Sequence, residues 1–331
     1  MSSPPIGLLV NPRSGSDVRR AVAAAGSSTF EDKISIIRRV VLGALEHGVD
    51  RFVTLPDHHR IVARATDTIG AARVEVLDDV EITHTEDDSR RAAIAMRDRR
   101  CLLVVVLGGD GTNRVVAKGW PDAPLLPMST GTNNAFPYYV EPTVAGSAVG
   151  LLGAGIVELA EVATPQKVIA VAHGDETDLA LIDAVAVDDP YVGSLELFDP
   201  HTMRLALLAR ADPAAIGFSA AGGLIQPLAA TDPGGLVVEL GPIEAGVEMV
   251  VRAPTAPGHY SSIGVRSVRR VADGEPVMVD GPVLLAFDGE RKRRIAAGES
   301  ARMWIEPAGP RVIDVPAVMA KAAAAGAFVS R

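Results

Sequence analysis

Short apolar runs alternate with stretches of helical spacing through residues 6–128, and this alternation constrains the fold more than any other feature of the sequence. The runs are Ile6–Val10, Phe52–Leu55, Val74–Leu77, Leu102–Leu107 and Leu125–Met128. Between them, Asp32–Leu45 and Asp88–Arg100 place apolar residues every three or four positions, as amphipathic helices do. Continuous apolar strands separated by helices are typical of a parallel sheet covered on both faces. The sequence therefore predicts an N-terminal α/β domain with a parallel sheet.

From Glu158 onward the sequence pattern changes, because proline and glycine become frequent and the apolar runs become short. These runs are Lys167–Ala172, Leu179–Val187, Leu236–Leu240, Glu248–Val251 and Val283–Phe287. Short strands broken by turn residues predict an antiparallel, sandwich-like β-rich domain. The spacing of Leu195–Arg210 is also compatible with a helix.

The change of pattern sets the expected domain organisation. The alanine-rich tail from Asp314 to Arg331 predicts a short helix. We therefore expect an α/β domain over residues 1–145, a β-rich second domain over residues 146–310, and a C-terminal helix within residues 311–331.

Charge and cysteine content exclude several classes of protein. The 331 residues carry 32 Lys and Arg against 41 Asp and Glu, a net charge of −9, which argues against a nucleic-acid partner. A single cysteine, Cys101, cannot form an internal disulfide, which favours a reducing compartment. The longest apolar run, Cys101–Leu107, is too short to cross a bilayer, and the N-terminus lacks the pattern of a signal peptide. We expect a cytoplasmic protein with no membrane partner.

The strongest candidate for a site is the glycine-rich turn Gly108–Thr112, which directly follows the most apolar run. In parallel sheets, ligands bind at the carboxyl ends of the strands. Glycines let the backbone approach a ligand closely, and its N–H groups at a helix N-terminus suit a phosphate. Asp110 would be repelled by bound phosphates unless it organised a metal ion or accepted a proton from an attacking hydroxyl. A tight turn in which Asp110 merely caps a helix is the alternative interpretation.

Two further polar loops follow other predicted strands of the same sheet. Asn11-Pro12-Arg13-Ser14-Gly15 follows the first strand, and Arg13 offers a fork that suits phosphate oxygens. Ser129–Phe136 follows the Leu125–Met128 strand with uncharged donors and acceptors. Each loop alone could be an ordinary turn. Because parallel strands end at one edge of the sheet, we expect all three loops to converge on one crevice.

Other patterns are weaker or missing. Asp288-Gly289 follows an apolar run and predicts a two-residue hairpin turn, whereas Glu290 fits a turn or a site equally well. The sequence lacks the Gly-x-x-x-x-Gly-Lys-Ser/Thr loop of P-loop enzymes. Its seven histidines lack the spacing of a zinc site.

These motifs resemble those of the NAD kinase and diacylglycerol kinase superfamily. Gly108-Gly109-Asp110-Gly111-Thr112 is similar to its signature, and Asn11–Gly15 is similar to the entry loop of its lipid-kinase branch. Gly131-Thr132 with Asn134 and Phe136 resembles a third loop of that branch, although Asn133 and Ala135 replace a Gly and an Asp. The likeness is strongest to the ATP-NAD kinase-like branch typified by acetoin catabolism proteins. It covers the first domain and weakens over the second.

The resemblance implies an ATP-dependent, Mg²⁺-dependent phosphotransferase with its active site between a nucleotide-binding first domain and an acceptor-binding second domain. Its implied catalytic residues are Asp110, as base or metal organiser, and Glu290. The implied nucleotide- and phosphate-binding residues are Asn11, Arg13, Ser14, Gly108, Gly109, Gly111, Thr112, Thr130, Gly131, Thr132, Asn133 and Asn134. Small-molecule nucleotides are the implied substrates, polyphosphate is an alternative donor, and self-association is expected by resemblance.

The acceptor is the point at which the sequence departs from NAD kinases. Those enzymes grip the dinucleotide with an Asn-Glu pair, and here Ile182 takes the Asn position and Asp183 the Glu position. We expect the NAD 2′-hydroxyl as the acceptor, with Asp183 as an acceptor-binding residue. Because Ile182 cannot make the hydrogen bond of an Asn, a lipid or an acetoin-pathway alcohol is an alternative acceptor. A non-catalytic nucleotide sensor is a further alternative.

Overall fold

The computed structural model describes residues 3–14, 28–130, 134–188 and 202–329. The helices are α1 (Phe30–Glu46), α2 (Ile61–Thr66), α3 (Asp87–Asp98), α4 (Asp110–Gly119), α5 (Pro142–Gly153), α6 (Phe218–Ile225) and α7 (Val315–Ala324). The strands of the first half are β1 (Ile6–Val10), β2 (Arg51–Thr54), β3 (Arg73–Val76), β4 (Val104–Gly108), β5 (Pro124–Ser129), β6 (Ala163–Pro165), β7 (Val168–His173), β8 (Glu176–Ala180) and β9 (Asp183–Val187). Those of the second half are β10 (Met203–Leu208), β11 (Gly235–Leu240), β12 (Met249–Ala256), β13 (His259–Val271), β14 (Val277–Asp280), β15 (Val283–Phe287), β16 (Glu290–Ile295), β17 (Ser300–Glu306) and β18 (Arg311–Ile313).

The first half of the chain forms the expected α/β domain. Its seven-stranded sheet has the order β3-β2-β1-β4-β5-β18-β6, and every pair except β18 with β6 is parallel. All five predicted strands are present, with ends that differ by at most two residues. Apolar clusters cover both faces, which is why β4 is buried along its whole length. The prediction of a parallel sheet is confirmed.

Helix α5 packs against α1 more closely than side chains would allow. A Cβ atom on Gly146 would lie 2.3 Å from the carbonyl oxygen of Val40, and one on Gly43 would lie 2.6 Å from that of Thr143. The two helices therefore need glycine at these crossing points. Helix α5 spans the expected boundary between residues 145 and 146 and lies against the first domain.

The tail returns to the first domain. Strand β18 pairs in parallel with β5, and α7 packs against α5. Residues 311–324 thus add a strand as well as the expected helix to the α/β layer. The chain leaves the α/β sheet after β6 and returns to it at β18. The domain boundaries at residues 145 and 310 remain predictions.

The second part is antiparallel, as expected. One sheet has the order β12-β13-β11-β10-β9-β15-β16 and the other β14-β17-β7-β8. The helical interpretation of Leu195–Arg210 is wrong for Met203–Leu208, which form β10 between two neighbouring strands; residues 195–201 lie outside the described residues. The predicted strand Leu179–Val187 is interrupted at Leu181 and Ile182, where the chain passes from one sheet to the other.

Among the described residues, no helix is long and apolar enough to cross a membrane.

Candidate active site

Side-chain hydrogen bonds join the three loops at the carboxyl edge of the parallel sheet. Asn11 Nδ2 donates to Thr112 Oγ1 at 2.9 Å, which links the loop after β1 to the turn after β4. The hydroxyls of Ser14 and Thr130 lie 2.7 Å apart and link the loop after β1 to the end of β5. This arrangement follows from topology, because β1, β4 and β5 are adjacent and parallel. Four of the residues expected to bind nucleotide, Asn11, Ser14, Thr112 and Thr130, are therefore held in one hydrogen-bonded group. A fifth, Asn134, donates to Ser129 Oγ at 3.0 Å, next to Thr130 in the chain.

The remaining residues predicted for these loops have different surroundings. Arg13 is exposed, and its backbone N–H donates to Asn11 Oδ1 at 2.9 Å. Gly131, Thr132 and Asn133 lie outside the described residues.

Close approach, rather than unusual backbone angles, explains the glycines of the turn after β4. A Cβ atom on Gly109 would lie 2.9 Å from Asn134 Oδ1, and one on Gly111 would lie 2.7 Å from Glu290 Oε1. Gly108 is packed in the same way against the Thr112 side chain. Gly109 is the N-cap of α4, so the first N–H groups of this ten-residue helix face the turn without helical partners. Such groups are suited to bind an anion.

Asp110 is the first residue of α4, and its partly buried carboxylate points to the loop after β5. It accepts hydrogen bonds from the backbone N–H of Phe136 at 2.9 Å and of Ala135 at 3.1 Å. Burial, together with the negative charge of Asp288, raises the pKa of Asp110 to about 7. A carboxyl with this pKa exchanges a proton near neutral pH, which is what a general base requires.

Asp288 lies in the site, although its sequence predicted only a hairpin turn. The predicted hairpin turn is present, with positive φ of 49° at Asp288 and 77° at Gly289 between the paired residues Phe287 and Glu290. The Asp288 carboxylate is nevertheless buried, and it accepts from the backbone N–H of Leu181 at 2.9 Å and of Ile182 at 2.8 Å. Burial raises the pKa of Asp288, while these hydrogen bonds and the Arg114 guanidinium oppose the rise.

Two cations near the site were not predicted from the sequence. Arg210 follows β10, donates to the carbonyl oxygen of Ala135 at 3.3 Å and lies over the Phe136 ring. Burial lowers the pKa of Arg210, and the charges of Asp110 and Asp288 oppose this, so all three groups interact. A single arginine in a β-rich segment has no local signal, since only the pairing of distant strands places it here.

Lys33 of α1 is the second unpredicted cation. It is fully buried, and its ammonium donates to the carbonyl oxygens of Asn11 at 3.1 Å, Pro12 at 2.7 Å and Ser14 at 2.7 Å. It therefore fixes the backbone of the loop after β1. The signal in the sequence is a lysine next to Ile34 on the apolar side of a predicted helix.

The acidic residues predicted for the second domain also lie here. Glu290 Oε2 is 3.4 Å from Arg114 Nη2, and its side chain is 38% exposed beside Gly111. Asp183 is 8% exposed, and its backbone N–H donates to Asp288 Oδ1 at 3.3 Å. Ile182 packs in the apolar core at 2% exposure. The turn Asp288–Glu290 of the second domain thus faces the turn Gly108–Thr112 of the first.

Comparison with known proteins gives two domain matches and one relative that spans the chain. Residues 6–154 match the ATP-NAD kinase N-terminal domain, and residues 167–308 match the acetoin catabolism protein X C-terminal domain. Acetoin catabolism protein X of Cupriavidus necator is 33% identical, over 96% of this chain and 92% of that protein.

Solved structures share the fold at low sequence identity. Yeast NADH kinase complexed with NADH aligns with a TM-score of 0.53 at 13% identity, over 100% of this chain and 89% of that one. An NAD kinase from Archaeoglobus fulgidus in complex with ATP aligns with a TM-score of 0.40 at 13% identity, over 84% and 98% of the two chains. The first alignment shows that this chain has an NAD kinase-like fold.

Proposed function

Because the chain belongs to the acetoin catabolism protein X family and begins with an ATP-NAD kinase N-terminal domain, we propose that it is an ATP-dependent phosphotransferase acting on a hydroxyl group. The observation that carries this proposal is the position of Asp110. It lies at the N-terminus of α4, with a pKa of about 7, and interacts with the charges of Asp288 and Arg210.

The donor phosphates would lie on the turn Gly108–Thr112. Unpaired N–H groups and the positive end of the α4 dipole favour negative charge there. Asn11, Ser14 and Thr130 are joined to one another by hydrogen bonds, and Asn11 is bonded to Thr112 of this turn. ATP is the donor supported by the domain match, and polyphosphate would need the same phosphate contacts.

Phosphoryl transfer requires one proton acceptor and stabilisation of spreading negative charge. In the proposed step, the acceptor hydroxyl gives its proton to Asp110 and its oxygen bonds to the γ-phosphorus. The bond from that phosphorus to the bridging oxygen breaks, and ADP leaves. Arg210 is placed to balance the charges of the two aspartates, and the α4 N-terminus would stabilise the phosphoryl oxygens.

The carboxylates beside the glycine turn are suitable ligands for Mg²⁺, which binds through one or two carboxylates together with substrate phosphates. Glu290 and Asp110 are carboxylates beside the glycine turn, and either could hold the ion. Among the described residues, no group of three or more acidic, histidine or cysteine side chains forms a complete metal cage. Bound Mg²⁺ would neutralise charge on the donor phosphates.

The NAD 2′-hydroxyl is the first acceptor to test, because the matching domain is that of ATP-NAD kinases. One observation favours a different alcohol. Ile182 packs in the apolar core, and Asp183 is buried with its backbone N–H bonded to Asp288. Neither side chain is therefore accessible to hydrogen-bond a dinucleotide. A lipid or an acetoin-pathway alcohol is therefore the second candidate acceptor, and a non-catalytic nucleotide sensor is the third possibility for this site.

The test is product formation with ATP and Mg²⁺, with NAD first and then a panel of lipid and short-chain alcohols. Asp110→Asn should lower turnover by about 100-fold or more, because it removes the base and keeps the shape. Asp67→Asn, on the exposed surface, is the matched control and should retain wild-type turnover. NADP as product would assign NAD as acceptor. ATP binding without turnover on any alcohol would support the sensor and refute the kinase.

A further inference from the structure

Arg114 is a fully buried cation that touches elements from both parts of the molecule. It lies on α4, one turn after Asp110. Its guanidinium is 3.3 Å from Asp178 Oδ1 in β8, 3.4 Å from Glu290 Oε2 in β16 and 3.5 Å from Glu86 Oε2 just before α3. Two of these three carboxylates belong to the β-rich part. One side chain thus connects the helix of the glycine turn to two strands of the second domain.

The Arg114 guanidinium contacts three carboxylates at long distances and forms no short ion pair with any one of them. All three distances exceed the roughly 2.7–2.9 Å of short charge-assisted bonds. The Nε–H of Arg114 is buried and has no hydrogen-bond partner among the residues that the structure describes. An arginine selected for stability alone would be expected to form a bidentate pair and to leave no buried donor unmet. The arrangement is instead that of a hub for three carboxylates.

The consequence of this hub lies in the facing turn. Glu290 contacts Arg114 and also fills the space that a side chain at position 111 would need. Asp288 lies two residues earlier on the same turn and interacts with the charge of Arg114. Any movement of the guanidinium would therefore move the turn Asp288–Glu290, opposite Asp110, or change the charge around it.

We propose that Arg114 is a positioning residue that holds the turn Asp288–Glu290 against the turn Gly108–Thr112. Its role is to keep the carboxylates of the second domain in register with the donor loop of the first. This inference rests on the proposed phosphotransferase function, and it adds a residue to which neither the motifs nor the family matches assign a role.

The test compares Arg114→Lys with Arg114→Met in the full-length chain. Lysine keeps a charge but cannot reach three carboxylates with a planar fork. We expect Arg114→Lys to stay folded by circular dichroism, to bind ATP within about threefold of wild type, and to lose about tenfold or more in kcat. Arg269→Met, which removes an exposed ion pair with Glu275, is the matched control and should keep wild-type kcat.

The split between kcat and ATP affinity separates positioning from simple support of the fold. Displacement of the turn Asp288–Glu290 should lower kcat in both Arg114→Lys and Arg114→Met, more strongly in Arg114→Met, while ATP affinity stays within about threefold of wild type. If Arg114→Met does not fold, the kcat of Arg114→Lys decides the question alone.

Wild-type kcat in Arg114→Lys, with only a lower melting temperature, would overturn the inference. A wild-type protein without turnover would instead refute the proposed function. In that case a crystal structure of Arg114→Lys still tests the contact: the turn Asp288–Glu290 should be displaced from the turn Gly108–Thr112, and an unmoved turn would overturn the inference.

Discussion

The two facing turns, Gly108–Thr112 and Asp288–Glu290, both hold their aspartate through backbone N–H groups, but the charged groups around the two aspartates differ. Asp110 accepts two backbone N–H groups from the loop after β5, and Asp288 accepts N–H groups from the crossing between β8 and β9. Asp288 also interacts with Arg114, which opposes the rise in its pKa. The charge of Asp288 is one of the causes that raise the pKa of Asp110, so the two carboxyls are coupled.

The difference lies in the charges around each aspartate. Burial and the negative charge of Asp288 raise the pKa of Asp110 to about 7, so the proton of Asp110 can move near neutral pH. In the proposed reaction, the second domain therefore helps to set the pKa of Asp110, the base that the first domain carries.

Replacement of Asp288 should have the largest effect on activity of the changes considered. Asp288→Asn takes away the negative charge that raises the pKa of Asp110, so the low-pH limb of kcat/KM should move to lower pH. We also expect kcat to fall by about 100-fold, because the buried amide meets three backbone N–H donors that a carboxylate satisfied better. A pH–rate profile measures both. An unchanged limb would show that the two aspartates are not coupled.

The buried lysine of the first domain should have the next largest effect. Lys33→Met removes the ammonium that donates to three backbone carbonyls of the loop after β1. We expect ATP affinity to fall by about tenfold and the free energy of unfolding to fall by about 1–3 kcal/mol. Calorimetry and urea unfolding measure these values. Lys321→Met, on the exposed side of α7, is the control, and equal effects of the two changes would contradict the role given to Lys33.

A methyl group between the two turns should have the smallest effect. In Gly111→Ala the new Cβ would meet Glu290 Oε1 at 2.7 Å, and this atom is the end of a flexible side chain that can move aside. We therefore expect about a threefold to tenfold loss of kcat/KM with little change in stability. Gly70→Ala, where a Cβ meets nothing within 4 Å, should behave as wild type. Equal rates in the two variants would show that Glu290 does not need its position beside Gly111.

Local signals were enough to predict strands β1–β5 and the loops that follow three of them. β1, β4 and β5 each contain a continuous apolar run, and the residues of the loops follow these strands directly, as Gly108–Thr112 follows the apolar run of β4. The parallel order then places the loops at one edge, which requires no knowledge of long-range contacts.

Residues of the second domain could not be placed in this way. Asp288 has the local sequence of an ordinary hairpin turn, and it forms one; its burial depends on the pairing of β15 with β9, about a hundred residues earlier in the chain. Arg210 is brought to Phe136 by β10, which lies in a segment whose spacing suggested a helix. The neighbours of β10 on both sides imposed strand geometry on it.

The central claim is that a nucleoside triphosphate binds where Asp110 begins α4. The most direct measurement is a crystal structure of the full-length chain with Mg²⁺ and a non-hydrolysable ATP analogue. We expect the triphosphate to lie against the backbone N–H groups of Gly109–Thr112, with the terminal phosphate between Asp110 and the Asp288–Glu290 turn. A triphosphate bound elsewhere, with the glycine turn still covered by Glu290, would contradict it.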